Sequence, residues 1–385
     1  MRKMKDSGVA WVGAIPEDWT VKRGKFTLKL LNRPVKETDD VITCFRDGEV
    51  TLRTNRRTDG FTVSVKEIGY QGIEPGDLVI HGMDGFAGSI GISDSRGKSS
   101  PVLVVCDTDE NKRYIMYYLR SMAYNDVFTA LATGIRVRSC DLRWNKLAEL
   151  PYILPSLEEQ NQIVLAIESS TSKVDALIAN VQAQIEKLKT YKQSLITEVV
   201  TKGLDPNVPM KDSGVEWIGE IPKHWNMIRF RFIAKITTGN QDTQNADPDG
   251  MYPFYVRSPI VEHCNNYTFE GKGILMAGDG AGAGRVFHLV NGKYAVHQRV
   301  YRFYDFKYMN PVLLKFYLEN LFATVMDYGS AKTTVPSVRL PMIQDFPVCV
   351  PPEDEQLKML EVLSEKTNKI DRFIAVKQTK IEKLE

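Results

Sequence analysis

Residues 4–19 read MKDSGVAWVGAIPEDW, and residues 210–225 read MKDSGVEWIGEIPKHW. Eleven of the sixteen positions are identical, at an offset of 206 residues. A second echo, at an offset of 196, joins PYILPSLEEQ (151–160) to PVCVPPEDEQ (347–356). The same offset carries Val174 onto Ile370, Ile178 onto Ile374, Ile185 onto Ile381 and Leu188 onto Leu384. Matches at so many separated positions make the chain two copies of one unit. The ends of the copies agree, while their middles differ in sequence and, by the change of offset, by ten residues in length. A shared scaffold carrying two different recognition surfaces has that pattern. A duplicated catalytic centre would instead repeat its working residues.

Within each copy, short apolar and β-branched runs bounded by Gly, Asp and Asn read as strands: 77–80, 101–105, 273–276 and 299–303. A helical pattern follows, over 114–131 and again over 311–326, and a Pro-flanked strand closes each copy at 152–154 or 348–350. From Ser156 the signal changes. Ser156 and Glu159 form an S-x-x-E capping box, and no Pro or Gly interrupts the chain until Gly203. Val174, Val181, Leu188 and Leu195 fall seven apart, with Leu177, Ile178 and Ile185 beside them, as in a coiled-coil seam. The second copy repeats the seam at Ile370, Ile374, Ile381 and Leu384 and stops mid-pattern at Glu385. Two matched stripes predict that the helices pair with each other.

The chain has 385 residues, 43% apolar and 25% charged, the balance of a folded globular protein rather than a disordered one. Fifty basic residues against 48 acidic ones leave a formal charge of +2, so any nucleic-acid binding must rest on local patches. The five cysteines (Cys44, Cys106, Cys140, Cys264, Cys349) are far apart, with no C-x-x-C pair to suggest zinc or a disulfide framework. Neither a signal-like apolar segment near the start nor an 18-residue apolar run is present, which predicts a cytoplasmic protein.

The D-S-G-V-x-W-[VI]-G-x-I-P-x-x-W segments, the P-x-x-x-P-x-x-x-E-Q helix entries and the heptad helices together resemble the DNA specificity subunit of type I restriction–modification systems. The resemblance covers essentially the whole chain. It implies a mixed α/β (α+β) fold with two target recognition domains, each a mixed sheet with helices. Two long antiparallel coiled-coil-like helices with pseudo-two-fold symmetry would separate them. The corresponding boundaries are 1–155 for the first recognition domain, 156–203 for the first spacer helix, 204–352 for a linker and the second domain, and 353–385 for the second helix. The resemblance further implies that each domain reads one half of a bipartite duplex sequence. Two methyltransferase subunits would be docked, and restriction subunits would join the full complex. This chain would carry no active site, with S-adenosylmethionine, ATP and Mg²⁺ held by partner subunits and none by the chain itself.

The residues agree with a non-catalytic role. No N-P-P-[YF] or D-P-P-[YF] tetrapeptide is present to hold a flipped adenine, and no G-x-x-x-x-G-K-[ST] loop to hold ATP. The run GDGAGAGR (278–285) has alternating glycines that miss the dinucleotide fingerprint and read as a tight loop. Asp249, Glu270 and Lys272 have the letters of a metal-dependent nuclease but sit in ordinary turn compositions. A nuclease using them and a plain interaction scaffold are the alternatives to a specificity subunit.

Base edges carry sequence information, whereas phosphates only position the protein, so candidate contacts fall in polar loops that differ between the copies. In the first copy these are Arg46, Arg53, Asn55, Arg56 and Arg57, then His81 and Asp84, then Arg96 and Lys98, and Arg136 and Arg138. A solvated hairpin has the same composition as the first group. In the second copy they are Asn240, Gln241 and Gln244, Arg257 and Ser258, Asp279, Arg285, and His297, Gln298 and Arg299. The amides suit adenine in the major groove, although a polar loop reads alike. Lys332 matches Arg136 at the 196 offset, and repetition there points to a phosphate. Adding four residues to each long helix lengthens it by about 6 Å. At about 3.4 Å per base pair, a methylation map should then show a recognised gap about two base pairs wider with both half-sites unchanged. Altered half-sites would mean that the helices are not spacers.

Overall fold

The computed structural model describes residues 2–56, 67–131, 141–329 and 336–384. The chain divides into two compact units, Met1–Asp175 and Ala176–Glu385. The first contains strands β1 (Thr20–Arg23), β2 (Lys29–Leu30), β3 (Leu78–His81), β4 (Ile90–Ile92) and β5 (Leu103–Asp107), helix α1 (Lys112–Tyr124) and strand β6 (Pro151–Leu154). Helix α2 (Leu157–Lys202) begins in this unit and ends in the second. There follow β7 (Asn226–Arg229), β8 (Lys235–Thr238), β9 (Gly273–Ala277), β10 (Phe287–Val290), β11 (Val300–Tyr304), α3 (Pro311–Gly329), β12 (Pro347–Val350) and α4 (Glu353–Glu382). Among the described residues, no helix is long and apolar enough to cross a membrane.

The two units share one topology. The first has an antiparallel sheet in the order β2-β5-β3-β4, and the second has β8-β11-β9-β10. In each unit the closing strand also pairs with the strand after the Trp motif, β6 with β1 and β12 with β7. The central strands are buried on both faces, which is why they read as continuous apolar runs rather than as alternation. Ile274 and Met276 pack into the core built on α3, with Leu313, Leu314 and Tyr317. Leu275, between them, faces Val290, Tyr294, Val296 and Val300. In the first unit Leu78 and Ile80 meet Ile115 and Leu119 of α1, and Val79 meets Ile42, Val50 and Ile73.

The difference in length lies on that second face. The first unit covers it with the pairs Ile42–Cys44/Val50–Leu52 and Gln71–Ile73/Gly97–Ser99. The second uses a four-stranded sheet in the order Glu262–Cys264, Tyr252–Tyr255, Lys293–Val296 and Phe269–Glu270. The helix expected over 114–131 ends at Tyr124, because Asp126 adopts a left-handed backbone (φ 57°) before a short turn at Val127–Ala130. Four cysteines (Cys44, Cys106, Cys264 and Cys349) are buried and unpaired in disulfides, and Cys140 lies outside the described residues.

Each long helix starts from the same lock. Gln160 is fully buried; its Oε1 accepts from the Asn111 amide (3.0 Å) and its Nε2 donates to the Pro155 carbonyl (3.0 Å) and to Glu110 (2.7 Å). Gln356 repeats this, accepting from the Asn310 amide (2.7 Å) and donating to the carbonyls of Pro351 (2.9 Å) and Tyr308 (2.8 Å). Ahead of them, Trp19 Nε1 donates to Glu159 and Trp225 Nε1 to Glu355, both at 2.9 Å. Only half of the expected capping box forms. Ser156 Oγ accepts from the Glu159 amide (3.3 Å), but the Glu159 carboxylate is taken by Trp19 and Arg2.

The second half of α2 pairs with α4 inside the second unit. Lys192 reaches Asp371 (2.7 Å) and Lys377 reaches Gln184, so numbers rise on one helix as they fall on the other, and the pair is antiparallel. Leu195, Ile196, Val199 and Val200 share one core with Met359, Leu363 and Ile370, with Leu188 and Ile374 packed beside it. Val181 and Ile185 are buried, Val174, Ile178, Ile381 and Leu384 half-buried. Leu177, expected on the seam, is 47% exposed, since it precedes the seam residue Ile178 by one position and so faces away. Helix α2 is followed by Gly203, whose φ of +79° suits the residue after a helix and where a Cβ would lie 3.2 Å from the buried Trp225 ring.

Replacing Gln356 with Ala leaves a buried amide and two carbonyls unpartnered and should destabilise the second unit by about 1–3 kcal/mol. Hydrogen exchange should show faster amide exchange over the first turns of α4, with no change within residues 2–131.

Candidate nucleic-acid interface

The register of the central strands gathers the polar loops at one end of each sheet. His81 lies opposite Leu103, and Ala277 opposite Val300, so the loops after β3 and β9 emerge there together with the chain entering β5 and β11. A three-way backbone junction sits at this point in both units. The Gly82 amide donates to the Val102 carbonyl (2.8 Å), while the Gly82 carbonyl accepts from the Leu142 amide (2.8 Å). Gly278 does the same with the Arg299 carbonyl (2.9 Å) and the Val338 amide (2.8 Å). A Cβ at Gly82 or Gly278 would lie 2.9 or 2.8 Å from that partner carbonyl, so only glycine fits.

The second unit assembles the denser cluster. Asp279, its side chain only 13% exposed, accepts from Arg257 (3.0 Å) and Arg299 (2.5 Å). Burial pushes its carboxyl up, but the two guanidinium bonds outweigh that and hold it below the usual range. Gln241 bridges to His297 in the backbone and accepts from Asn245 Nδ2 (2.5 Å). Gln298 donates to Asp242 (2.8 Å), the residue that caps the turn Thr243–Asn245. Asn240, Gln244 and Arg285 are exposed on the surrounding loops, and the Ser258 hydroxyl accepts from the Ile260 amide (3.1 Å). His297 differs from expectation. It is buried, its imidazole held below its ordinary value by burial, and its Nδ1 accepts from the Arg299 amide (3.0 Å), so it shapes the loop that presents Arg299.

In the first unit, Arg46 bonds Asp84 (3.1 Å), and His81 Nδ1 accepts from the Asp84 amide (2.9 Å). Arg56 bonds Asp47 (2.6 Å) and Glu49 (3.0 Å) and stacks 4.2 Å from the Phe45 ring centroid. Arg53 bonds Thr43 and Asn55 bonds Thr51. Burial keeps His81 below its ordinary value, so its imidazole is neutral near pH 7.

Two residues of the expected set are used elsewhere. Arg96 bonds the buried carboxylate of Asp39 (2.9 and 3.0 Å) and also Glu74, in the turn leading into β3. Its hydrogen bonds hold the Asp39 carboxyl down at about 2. Lys98 is 18% exposed and paired with Glu67 (2.7 Å). Both belong to the frame rather than to the polar sheet end. Arg57, Arg136, Arg138 and Lys332 lie outside the described residues. Among the described residues no group of three or more His, Cys, Asp or Glu side chains is placed to hold a metal ion.

One pair of arginines stands outside the expected set. Arg143 and Arg339, related by the 196 offset, are both exposed and stand one residue beyond the junction contacts of Leu142 and Val338. Attention to loops that differ between the copies hides them, although the repeat itself contains the signal. Their equivalence suits phosphates, which carry no sequence information. Replacing both with Ala should weaken binding to any duplex and lower the slope of log K against log salt by about two, with base preference unchanged.

Residues 222–385 match the family model described as the type I restriction modification DNA specificity domain. The chain is 28% identical over 150 residues to the EcoDI type I restriction enzyme specificity subunit of Escherichia coli, a match covering 38% of this chain and 32% of that one. It is 26% identical over 238 residues to the putative MjaX specificity subunit of Methanocaldococcus jannaschii, covering 56% and 53%. The chain thus spans about a third to a half of the length of these curated relatives. In fold it is similar to a chain solved in work on complex assembly and conformational transition of the type I R-M system (TM-score 0.68, 15% identity, 96% and 95% covered). It is similar also to the HsdS subunit from Thermoanaerobacter tengcongensis (TM-score 0.52, 15% identity, 96% and 94% covered).

Proposed function

We propose that this chain, whose residues 222–385 match the type I restriction modification DNA specificity domain, is the non-catalytic specificity subunit of such a system. Each unit reads one half of a bipartite duplex sequence, and the subunit directs an adenine-N6 methyltransferase and a restriction translocase to it. In this reading the chain works in the cytoplasm, docks two methyltransferase subunits, and leaves S-adenosylmethionine, ATP and Mg²⁺ to its partners.

One observation carries the reading. Two units with the same sheet order, the same helix lock and the same glycine junction differ in the loops gathered at one sheet end. A protein that must be positioned identically on two duplex segments, yet read different bases in each, needs that division. The second unit's end offers Arg257, Arg299, Gln241, Gln244 and Gln298, the donor types suited to guanine and adenine edges. Asp279 holds the first two arginines in place, which limits the conformational freedom that binding would remove.

The test is a map of N6-methyladenine in DNA from cells expressing this chain with the methyltransferase subunit of the same system. Two short defined blocks around an unspecified gap are expected, and Arg299→Ala should relax one block by roughly tenfold or more and leave the other intact. Methylation at a continuous site would overturn the two-unit reading.

A further inference from the structure

The first turn after β1 and the first turn after β7 present the same exposed face. Arg23, Lys25, Phe26 and Lys29 correspond, at the 206 offset, to Arg229, Arg231, Phe232 and Lys235. Phe26 is 73% exposed and Phe232 is 61% exposed. Around each ring stands the same set of ion pairs. Glu149 accepts from Arg23 (2.8 Å) and Lys25 (3.2 Å), as Asp345 does from Arg229 (3.3 Å) and Arg231. Lys29 pairs with Asp109, as Lys235 does with Asp305 (2.9 Å).

The core beneath this face has drifted while the face has not. Between the Phe-bearing turns, buried Gly24 is exchanged for Phe230, Thr27 for Ile233 and Leu28 for Ala234. Divergence ordinarily runs the other way, since exposed positions outside binding sites tolerate change and cores resist it. A solvent-exposed Phe contributes little to folding. Its retention in both copies, inside a matching frame of charges, therefore reports a surface role common to both units. The face also lies away from the polar loops. Lys29 is opposite Asp107 and Lys235 opposite Tyr304, at the far end of each central sheet from His81 and from Ala277.

We infer that these two faces dock one kind of protein partner in two copies, each copy receiving Phe26 or Phe232 in an apolar pocket. Each frame carries three cations against two carboxylates, so the complementary pocket has an acidic rim. A phosphate backbone fits less well, because it offers no apolar pocket for the exposed ring of Phe26 or Phe232. In the second unit a cleft of about 530 Å³ runs beside Phe232, lined by Arg231, Lys235, Tyr304, Lys307 and Tyr308, and gives the partner a place to extend. The inference rests on the proposed function, and the occupant it commits to is the methyltransferase subunit of the same system.

The test uses the full chain with that methyltransferase subunit, as wild type, Phe26→Ala, Phe232→Ala and the double variant. Native mass spectrometry should find two partners on wild type, one on each single variant and none on the double, with each lost site weakened at least tenfold. Thermal midpoints and the isolated chain's affinity for duplex DNA should not change, because neither ring is in a core or at the polar sheet end. Two partners bound to the double variant with unchanged affinity would overturn the inference and leave the function reading standing. Loss of duplex binding with assembly intact would make the face a DNA contact instead. Self-association of the isolated wild-type chain that the variants abolish would make the occupant a second copy. If wild type takes up no methyltransferase subunit, the function reading falls and this inference with it.

Discussion

A carboxamide buried in the first turn of each long helix ties that helix to the sheet domain before it. Gln160 and Gln356 each accept one backbone amide and donate to the carbonyl that closes the preceding strand. A buried amide satisfied on both sides tolerates little rotation, because any displacement strands polar groups away from water. Helix direction is thereby set relative to its own domain.

Helix α2 completes the connection at its other end. Its last turns, Leu195 to Val200, are part of the core of the second unit, packed with α4 and with residues of the second sheet domain. The helix therefore ends inside a hydrophobic cluster of the second unit. Lys192 and Asp371 fix the antiparallel register beside that cluster. Repetition of the lock and of the seam accounts for why the ends of the two copies remain alike.

Divergence is tolerated where no such constraint acts. The accessory strands that cover the outer face of each central sheet differ in number and order, yet both bury one residue of the central strand, Val79 or Leu275. The loops they support can change as long as that burial persists. Ion pairs then sort the charged residues among them. Arg257 and Arg299 share Asp279 at the polar sheet end, whereas Arg96 is spent on Asp39 and Glu74 within the frame.

The duplication, the helix limits and the heptad stripe were legible in the sequence because each is a pattern between identical or periodically spaced residues. Pro155 and Gly203 bracket α2, and the seven-residue spacing of Val181, Leu188 and Leu195 places its buried face without reference to any partner. The central strands were legible as apolar runs, and their ends shifted only by a residue or two. Which arginines are offered to solvent was decided by tertiary structure alone. Arg96 and Arg299 look alike as letters, but one meets a buried carboxylate 57 residues away and the other sits at a sheet end assembled from several separate loops. The exposure of Phe26 and Phe232 belongs to the same class, since an aromatic after a strand reads as core until the sheet shows which side is covered. Periodicity is a property of neighbours along the chain, whereas charge pairing and exposure depend on which distant segments the fold brings together.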